Sequence, residues 1–287
     1  MKVAVTGASG FIGRHVLELL GARDDLEIVA ASRTPMPEAA LPAGCRHVSL
    51  DIADAAAVEA SFERLGRPDT VIHLAWAGLP NYKSLHHFET QLPRQYAFLK
   101  ALVDGGLRSL TCTGTCFEYG MRSGALSEDM PTLPSNPYGF AKDALRRQLE
   151  FLRASRPFSL NWARLFYMFG SGQPGGSLYP LLHAAMERGD RRFAMSSGEQ
   201  LRDFLPVTEI ARIIVALAVD LPDVGVVNVC SGKPVSVRSL VERWRNERGS
   251  HIELDLGKYP YPDYEPMAFW GSAVKLHRVL PDAGLIP

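Results

Sequence analysis

The sequence has no excess of charge of either sign and no long hydrophobic run. Its 287 residues contain 31 lysines and arginines against 31 aspartates and glutamates, so the formal net charge is zero. A neutral chain gives no electrostatic basis for binding nucleic acid or an anionic membrane. No apolar stretch approaches the roughly 18 residues of a spanning helix, and the amino terminus does not resemble a signal peptide. We therefore expect a cytoplasmic protein with no nucleic-acid or membrane partner.

Cysteine is scarce and its spacing excludes the common metal motifs. The four cysteines, Cys45, Cys112, Cys116 and Cys230, form no Cys-x-x-Cys pair and no Cys/His pattern typical of a metal site. Internal repeats and low-complexity tracts are also missing. We expect reduced thiols, as in the cytoplasm, and no bound metal.

The amino-terminal segment is a glycine-rich turn between a strand and a helix. Residues 2–5 are a valine-rich run typical of a buried parallel strand, and residues 14–21 have helical apolar spacing. Between them lies T-G-A-S-G-F-I-G, in which Gly7 permits a tight turn, Gly10 a close approach of phosphate, and Gly13 close helix packing. The spacing departs from G-x-G-x-x-G, and a turn without ligand is the alternative. The flanking strand and helix favour a dinucleotide site.

Further strands and helices alternate up to about residue 160. The sequence predicts strands over residues 27–32, 46–50, 70–75 and 109–113, and helices over residues 53–65 and 88–104. Repeated βα units predict an α/β fold with a Rossmann-type, doubly wound parallel sheet and ligands at the carboxyl ends of its strands. We expect this domain to span residues 1–165, with segments returning around 200–232. Residues 166–287 then form mainly a smaller, substrate-binding lobe.

Arg33 bears on the choice of dinucleotide. It follows the second strand, about twenty residues after the glycine turn, where an acidic residue binds the ribose 2′-hydroxyl of NAD and an arginine accommodates the 2′-phosphate of NADP. An ordinary solvated arginine is the alternative. We expect NADP(H) as the preferred cofactor, with NAD(H) as the second choice.

Tyr138 and Lys142 stand four residues apart in the stretch P-Y-G-F-A-K, on one face of a predicted helix. A nearby ammonium lowers the cost of forming phenolate, so such a tyrosine can act as an acid or base near neutral pH. The same spacing also occurs on helix faces without any function. The glycine turn upstream favours the catalytic interpretation.

The chain resembles the extended short-chain dehydrogenases/reductases, the NAD(P)-dependent epimerase/dehydratase family of nucleotide-sugar enzymes. The resemblance covers essentially the whole chain. It rests on the glycine turn from Thr6 to Gly13 and on Asp51-Ile52, His73-Leu74-Ala75, Thr113-x-Thr115, Tyr119-Gly120, Tyr138-x-x-x-Lys142, Arg164-Leu165-Phe166, Gly170-x-Gly172-Gln173, Arg202-Asp203-Phe204 and Asn228-Val229-Cys230-Ser231-Gly232.

The resemblance implies a role for each matching position. Thr115 binds the substrate oxygen, Tyr138 transfers the proton, and Lys142 binds the nicotinamide ribose and lowers the pKa of the tyrosine. The implied cofactor contacts are Gly7, Ser9, Gly10, Phe11, Ile12, Gly13, Arg33, Asp51, Ile52, Leu74, Ala75, Ala77, Thr113, Tyr138, Lys142, Leu165 and Phe166. The implied substrate contacts are Trp76, Lys83, Thr115, Tyr167, Gln173, Arg202 and Arg238.

Several substrate positions depart from the family pattern or allow two interpretations. Tyr167 replaces an asparagine that usually contacts the sugar nucleotide, and Glu265 replaces an arginine, so ligand geometry there must differ. Arg202 and Arg238 either hold the diphosphate through their forked donors or form surface ion pairs. Trp76 is bulkier than the usual alanine and either narrows the sugar pocket or belongs to the core.

The residues after Thr115 narrow the reaction. Dehydratases of the family have an Asp-Glu pair there, whereas this chain has Cys116-Phe117, which disfavours dehydration. The cysteine of the epimerising reductases stands one place later than Cys116, so proton exchange at ring carbons is also poorly supported. For that exchange three histidines are left as candidates: His73, His86 and His87.

We expect NADPH-dependent reduction of the 4-keto group of a nucleotide-linked 4-keto-6-deoxyhexose, carried on dTDP or CDP, with Tyr138 as proton donor. Among family members the chain is closest in character to the nucleotide-4-keto-6-deoxyhexose reductases. An NAD-dependent nucleotide-sugar C4 epimerase and a non-catalytic NAD(P)-binding protein are the two alternatives.

The resemblance also implies a homodimer through a four-helix bundle. The helix that carries Tyr138 and Lys142 would pack, with the preceding long helix, against the same pair in a second copy. Apolar residues at helical spacing on the two helices could form this surface or an intrachain core: Leu145, Leu149 and Leu152, and Phe98, Leu99 and Leu102.

Overall fold

The computed structural model describes residues 1–282, and its largest element is a parallel β-sheet. The strands are β1 (Lys2–Thr6), β2 (Glu27–Ser32), β3 (Arg46–Ser49), β4 (Thr70–His73), β5 (Ser109–Thr115), β6 (Gly124–Leu126), β7 (Ser159–Leu165), β8 (Tyr167–Phe169), β9 (Arg192–Ala194), β10 (Leu201–Pro206), β11 (Gly225–Val229), β12 (Pro234–Ser236), β13 (Glu253–Asp255) and β14 (Phe269–Gly271). The helices are α1 (Phe11–Gly21), α2 (Ala55–Glu59), α3 (Ser61–Arg64), α4 (Leu92–Asp104), α5 (Pro137–Ser155), α6 (Leu178–Glu187), α7 (Val207–Val219), α8 (Val237–Glu247) and α9 (Val274–Val279).

The seven strands of the large sheet have the order β11-β7-β5-β4-β1-β2-β3, and every neighbouring pair is parallel. The direction of strand succession reverses between β1 and β4. Such a reversal opens a crevice at the carboxyl ends of the two strands, where α/β proteins of this kind bind their ligands. The predicted doubly wound α/β fold is confirmed.

Two hydrophobic cores cover the two faces of this sheet. One contains buried residues of α1 and α7, and the other contains buried residues of α4 and α5. The second core includes the six residues named above as a dimer surface or an intrachain core: Phe98, Leu99, Leu102, Leu145, Leu149 and Leu152. They pack within the chain, so the intrachain alternative is correct for these side chains.

The later part of the chain forms small sheets and a separate core. Strands β12, β10 and β8 form one sheet, β13 pairs with β9, and β14 pairs with β6. Helices α6 and α8 bury Leu182 and Trp244 in a core of their own. Strand β11 and helix α7 nevertheless belong to the large sheet and its cover. The predicted boundary near residue 165 falls between β7 and β8.

Two predicted helices differ in detail from those observed. The helix expected over residues 53–65 is divided into α2 and α3 at Ala60, and Asp54 caps the first through its carboxylate. The helix expected over residues 88–104 starts with a wider π-helical turn, His87–Gln91, before α4. Within residues 1–282, no helix is long and apolar enough to cross a membrane, and no group of His, Cys, Asp and Glu could hold a metal ion.

Candidate active site

The glycine turn forms a cradle at the amino terminus of α1. Gly7 has a φ of 72°, and a Cβ there would lie 2.8 Å from the backbone nitrogen of Ala75. A Cβ on Gly13 would lie 2.3 Å from the carbonyl oxygen of Gly7. No side chain caps the helix at Gly10, so its first amides can serve a ligand. This geometry fits the pyrophosphate of a dinucleotide.

A groove of about 310 Å³ extends from this turn along the ends of β1, β2 and β4. Nine of the predicted cofactor residues line it: Gly7, Ser9, Gly10, Arg33, Asp51, Ile52, Leu74, Ala75 and Ala77. Arg94 and Gln95 of α4 also line the groove, and the sequence did not single them out. The groove therefore brings together residues at the carboxyl ends of β1, β2, β3 and β4 with residues of α4.

The other predicted cofactor residues lie beneath or beside the groove. Ile12 and Leu165 pack with the core under α1 and α7, and Phe166 packs in a cluster with Cys116 and Phe269. The ring of Phe11 stands edge-on to His15. None of these four residues lines the groove itself.

Tyr138 and Lys142 lie on the buried face of α5, against the end of β5. The Lys142 ammonium donates a hydrogen bond to the carbonyl oxygen of Thr113 at 2.9 Å, and its Nζ lies 6.0 Å from the Tyr138 ring centroid. Asn136 caps the helix by accepting from the amide of Gly139 at 2.8 Å. The cap and the buried face fix both side chains near Thr115, and Trp76, which lines the groove, has its ring 6.0 Å from that of Tyr138.

Aromatic rings enclose the phenol of Tyr138. The ring centroids of His87, Tyr82, Trp76 and Phe117 lie 5.2, 5.6, 6.0 and 6.4 Å from that of Tyr138. Burial raises the pKa of Tyr138 well above its usual range, while contact with the Thr115 hydroxyl acts in the opposite direction. The sequence predicted a lowered pKa. The direction differs because removing the phenolate from water outweighs the hydrogen bond with Thr115, which lowers the pKa.

Glu118 is a site residue that the sequence reasoning missed. Its Oε1 accepts from the amide of Thr115 and from the indole nitrogen of Trp162, both at 2.9 Å. Its Oε2 accepts from Nε of Arg164 at 2.7 Å. The spacing Thr115-x-x-Glu118 matches a capping box, which the structure forms, so a signal was present. Because Glu118 is fully buried, it fixes the turn that carries Thr115.

His73 does not supply an acid or base. Its Nδ1 lies 2.8 Å from the hydroxyl of Thr6, and its Nε2 lies 2.7 Å from Oε1 of Gln95. Burial lowers the pKa of His73 to about 3, so the ring is neutral and both nitrogens are hydrogen-bonded. His73 is therefore wrong as a candidate for proton exchange, because it instead holds β1, β4 and α4 together.

Two loops meet over Tyr138. Lys83, predicted to contact substrate, pairs with Asp263 at 2.7 Å, and the ring of Tyr82 lies 5.6 Å from that of Tyr264. Tyr82 and Lys83 follow β4, and Asp263 and Tyr264 precede β14. The space beside Tyr138 is thus bounded by chain segments far apart in sequence.

Tyr167, Arg202 and Glu265 form a buried polar group on the substrate side. The Tyr167 hydroxyl donates to Oε2 of Glu265, and Nε of Arg202 lies 3.4 Å from the same oxygen. Arg202 also donates to the carbonyl oxygens of Leu201 and Met267. Burial raises the pKa of Glu265 to about 7 and lowers that of Arg202 to about 10. The glutamate partly compensates the charge that Arg202 would offer to a diphosphate.

The comparison with known families agrees with this geometry. The model of the "NAD dependent epimerase/dehydratase family" matches residues 3–230, the span that contains the glycine turn, the groove and the Thr115, Tyr138 and Lys142 cluster. The chain belongs to this family.

Curated family relatives match nearly the whole chain. The dTDP-6-deoxy-L-talose 4-dehydrogenase (NAD(+)) of Aggregatibacter actinomycetemcomitans is 29% identical over 273 residues, covering 95% of this chain and all of the relative. The dTDP-6-deoxy-L-talose 4-dehydrogenase (NAD(P)(+)) of Kitasatospora kifunensis is 32% identical, covering 91% and 83%. The solved structure of MoeE5 with UDP-glucose and NAD has a TM-score of 0.84 at 26% identity, covering 100% and 94%.

Two other predicted substrate residues lie apart from the group of Tyr167, Arg202 and Glu265. Arg238 begins α8, and its guanidinium pairs with Glu242 at 2.8 Å while about half exposed, which fits the surface-ion-pair alternative. The amide of Gln173 donates to the carbonyl oxygen of Met168 at 3.2 Å, and its Oε1 is buried without a hydrogen-bond partner.

Proposed function

We propose that this protein interconverts the C4 hydroxyl and the C4 ketone of a nucleotide-linked 6-deoxyhexose. In the favoured direction it reduces the 4-ketone with NADPH, on a dTDP- or CDP-linked sugar. The nicotinamide cofactor supplies hydride transfer when it is bound. A dehydrogenation at C4, the activity in the names of two relatives, is the same reaction in reverse.

The observation that carries this proposal is the position of the Tyr138 phenol in contact with the Thr115 hydroxyl. A phenol is protonated at neutral pH, so Tyr138 can give a proton to an oxygen that becomes negative beside it. Burial raises the pKa of the Cys116 thiol well above its usual range, Phe117 has no proton to give, and Glu118 is held by Trp162 and Arg164. One donor is sufficient for carbonyl reduction, whereas elimination of water needs a separate acid and base.

Each residue of the cluster has a role in this reaction. Thr115 donates a hydrogen bond to the C4 oxygen, and Tyr138 gives that oxygen its proton as negative charge develops. The Lys142 ammonium binds ribose hydroxyls and stabilises the phenolate left behind. The rings of Tyr82, Phe117 and Tyr264 form an apolar wall at the sugar end, which suits the C6 methyl of a deoxysugar.

The test is a spectrophotometric assay of NADPH consumption with dTDP-4-keto-6-deoxyglucose and its CDP-linked counterpart. We expect substrate-dependent oxidation of NADPH by the wild type, and a loss of about 10²- to 10⁴-fold in kcat in Tyr138→Phe. Cofactor affinity of that variant should fall far less than kcat, because the phenol hydroxyl is one of many expected cofactor contacts.

Three results would contradict parts of this proposal. Tightly bound NAD after purification, together with interconversion of two nucleotide sugars without net NAD(P)H change, would identify a C4 epimerase instead. Cofactor binding without turnover of any nucleotide sugar would favour a non-catalytic role. Full turnover by Tyr138→Phe would exclude the assigned proton donor.

A further inference from the structure

The indole of Trp76 lies against the ammonium of Lys142. The Nζ atom of Lys142 is 4.1 Å from the Trp76 ring centroid and donates to the backbone oxygen of Thr113 at 2.9 Å. The lysine side chain is buried. Its charge therefore has a carbonyl oxygen and an aromatic face as neighbours, in place of water or the carboxylate that usually accompanies a buried lysine.

A second residue holds the indole in this position. Nε1 of Trp76 donates to Nδ1 of His87 at 3.1 Å, and Nε2 of His87 lies 2.8 Å from the carbonyl oxygen of Asn81. Because Nδ1 accepts, Nε2 carries the proton and the imidazole is neutral. The two rings are nearly parallel, with centroids 6.3 Å apart. Two hydrogen bonds in series thus fix the tryptophan to the backbone of the loop after β4.

We propose that Trp76 is a positioning residue for Lys142: its indole face keeps the ammonium charged and fixed beside Tyr138, and His87 anchors the indole. This inference deepens the proposed function and rests on it, since it explains how the lysine can serve the tyrosine.

Burial makes such a contact important for the charge of Lys142. Loss of hydration lowers the pKa of Lys142 to about 8, so the lysine would lose its charge in mildly alkaline solution. The negative face of an indole favours the charged form, and a desolvated contact of this kind shifts a pKa by about half to one and a half units. Trp76 therefore opposes the effect of burial.

Five other titratable groups surround Lys142, each from a different segment of the chain. They are Cys112 on β5, His73 on β4, Glu118 in the turn after β5, His87 before α4 and Tyr138 on α5. His73 is neutral, and Cys112 is a thiol whose pKa burial raises to about 12. Glu118 is the one carboxylate in this set, and it is hydrogen-bonded to Trp162 and Arg164. None of them supplies the direct contact that the indole makes.

The first experiment uses the cofactor-free protein and needs no substrate. Tryptophan emission is followed from slightly acid to mildly alkaline pH, because loss of a charge 4.1 Å from the Trp76 ring centroid changes its emission. We expect a step in mildly alkaline solution in the wild type, above the value of about 8 that burial gives the pKa of Lys142, because the indole face favours the charged form. The step should vanish in both Lys142→Met and Trp76→Phe.

Trp270→Phe is the matched control, since it removes a partly buried tryptophan of β14 and should leave the step in place. A step that persists in Trp76→Phe or in Lys142→Met would overturn the proposal. A wild type without any step in this range would do the same. Far-UV circular dichroism of each variant identifies a protein that has not folded.

The second experiment measures the pH dependence of carbonyl reduction. In Trp76→Leu, which keeps the site apolar but removes the aromatic face, the alkaline limb of kcat should move to lower pH by about half to one and a half units. Trp76→Phe should recover part of that shift, because it restores a weaker ring face. An alkaline limb of kcat at the same pH in the wild type, Trp76→Leu and Trp76→Phe would contradict the positioning role.

The two experiments separate failure of this inference from failure of the proposed function. A protein without reductase activity that still shows the tryptophan step would keep the Trp76–Lys142 contact and reject the reaction. An active reductase without the step would keep the reaction and reject the contact.

Discussion

At the scale of single residues, burial decides the chemistry of the site. Tyr138, Lys142 and His73 are all enclosed, and in each case the loss of water favours the neutral form. The result is a protonated phenol, a lysine whose pKa is lowered toward neutrality, and a histidine that does not titrate near neutral pH. A protonated phenol is the state that a carbonyl reductase requires.

Arg33 should determine the preference between the two dinucleotides. It lines the groove after β2 and is exposed, so its guanidinium can reach a 2′-phosphate. In Arg33→Asp we expect the KM for NADPH to rise by about ten- to a hundredfold and that for NADH to change little, as charged hydrogen bonds are lost. Steady-state kinetics with both cofactors measure this.

Arg192→Asp provides the control for Arg33, since it makes the same charge change on exposed β9. It should leave both KM values as they are. An equal rise for NADPH and NADH in Arg33→Asp would contradict the NADP assignment.

Glu118 should be required for stability as well as for the position of Thr115. In Glu118→Ala, the buried Arg164 loses its carboxylate partner at 2.7 Å, and breaking such a buried pair costs about 3–5 kcal/mol. Chemical denaturation would show this fall in the free energy of unfolding. Glu118→Gln should retain an acceptor for the Thr115 amide and keep more activity than Glu118→Ala.

A suitable comparison is Glu150→Ala, which removes a partly exposed partner of Arg146 and should cost less than about 1 kcal/mol. If the two alanine variants were equally stable, the structural role given to Glu118 would be wrong.

At the scale of elements, the turn after β5 and the first turn of α5 must fit closely. A Cβ added to Gly139 would lie 2.6 Å from the carbonyl oxygen of Phe117, a contact that forces the two segments apart. Tyr138 is on one segment and Thr115 precedes the other. The glycine between Tyr138 and Lys142 is thus fixed by packing.

Gly139→Ala should therefore impair catalysis more than cofactor binding. Moving reacting groups by about 1 Å can cost about a hundredfold in rate, and overpacking costs about 1–3 kcal/mol in stability. Stopped-flow turnover and cofactor titration measure the two effects. Gly175→Ala, where a Cβ would meet nothing within 4 Å, should behave like the wild type; a fully active Gly139→Ala would show that the contact is tolerated.

At the scale of the whole molecule, α4 and α5 still offer a surface for a second copy. The apolar residues first considered for a dimer are buried within the chain. Other side chains on or near these helices are exposed, with Phe140 at 50% and Phe151 at 78%. Large exposed aromatic residues on one helix are typical of an interface. The homodimer remains a prediction, now placed on different residues.

Phe151→Glu should convert this dimer to a monomer, because a charge would be buried in an apolar interface. Sedimentation velocity at micromolar concentration measures the mass of each species. Leu181→Glu, at an exposed position on α6, should leave the mass unchanged. A wild type that sediments as a monomer would contradict the predicted assembly.

Some of the site could be predicted from sequence because its signals are local. The glycine turn needs consecutive residues with special backbone geometry, and Tyr138 and Lys142 are related by one turn of a helix. Glu118 also had a local signal, the capping box, although its wider role depends on Trp162 and Arg164. The sequence shows that Glu265 departs from the family pattern, but its partners Tyr167 and Arg202 lie far away in sequence.

Periodicity and short spacings encode local structure, and they were enough to predict the parallel sheet, the glycine turn and the tyrosine–lysine pair. The tertiary structure decided which groups surround them. It alone showed that burial raises the pKa of Tyr138, that His73 is neutral and that Trp76 covers Lys142. These properties depend on desolvation and on contacts between distant segments, and neither is set by the residues adjacent in the chain.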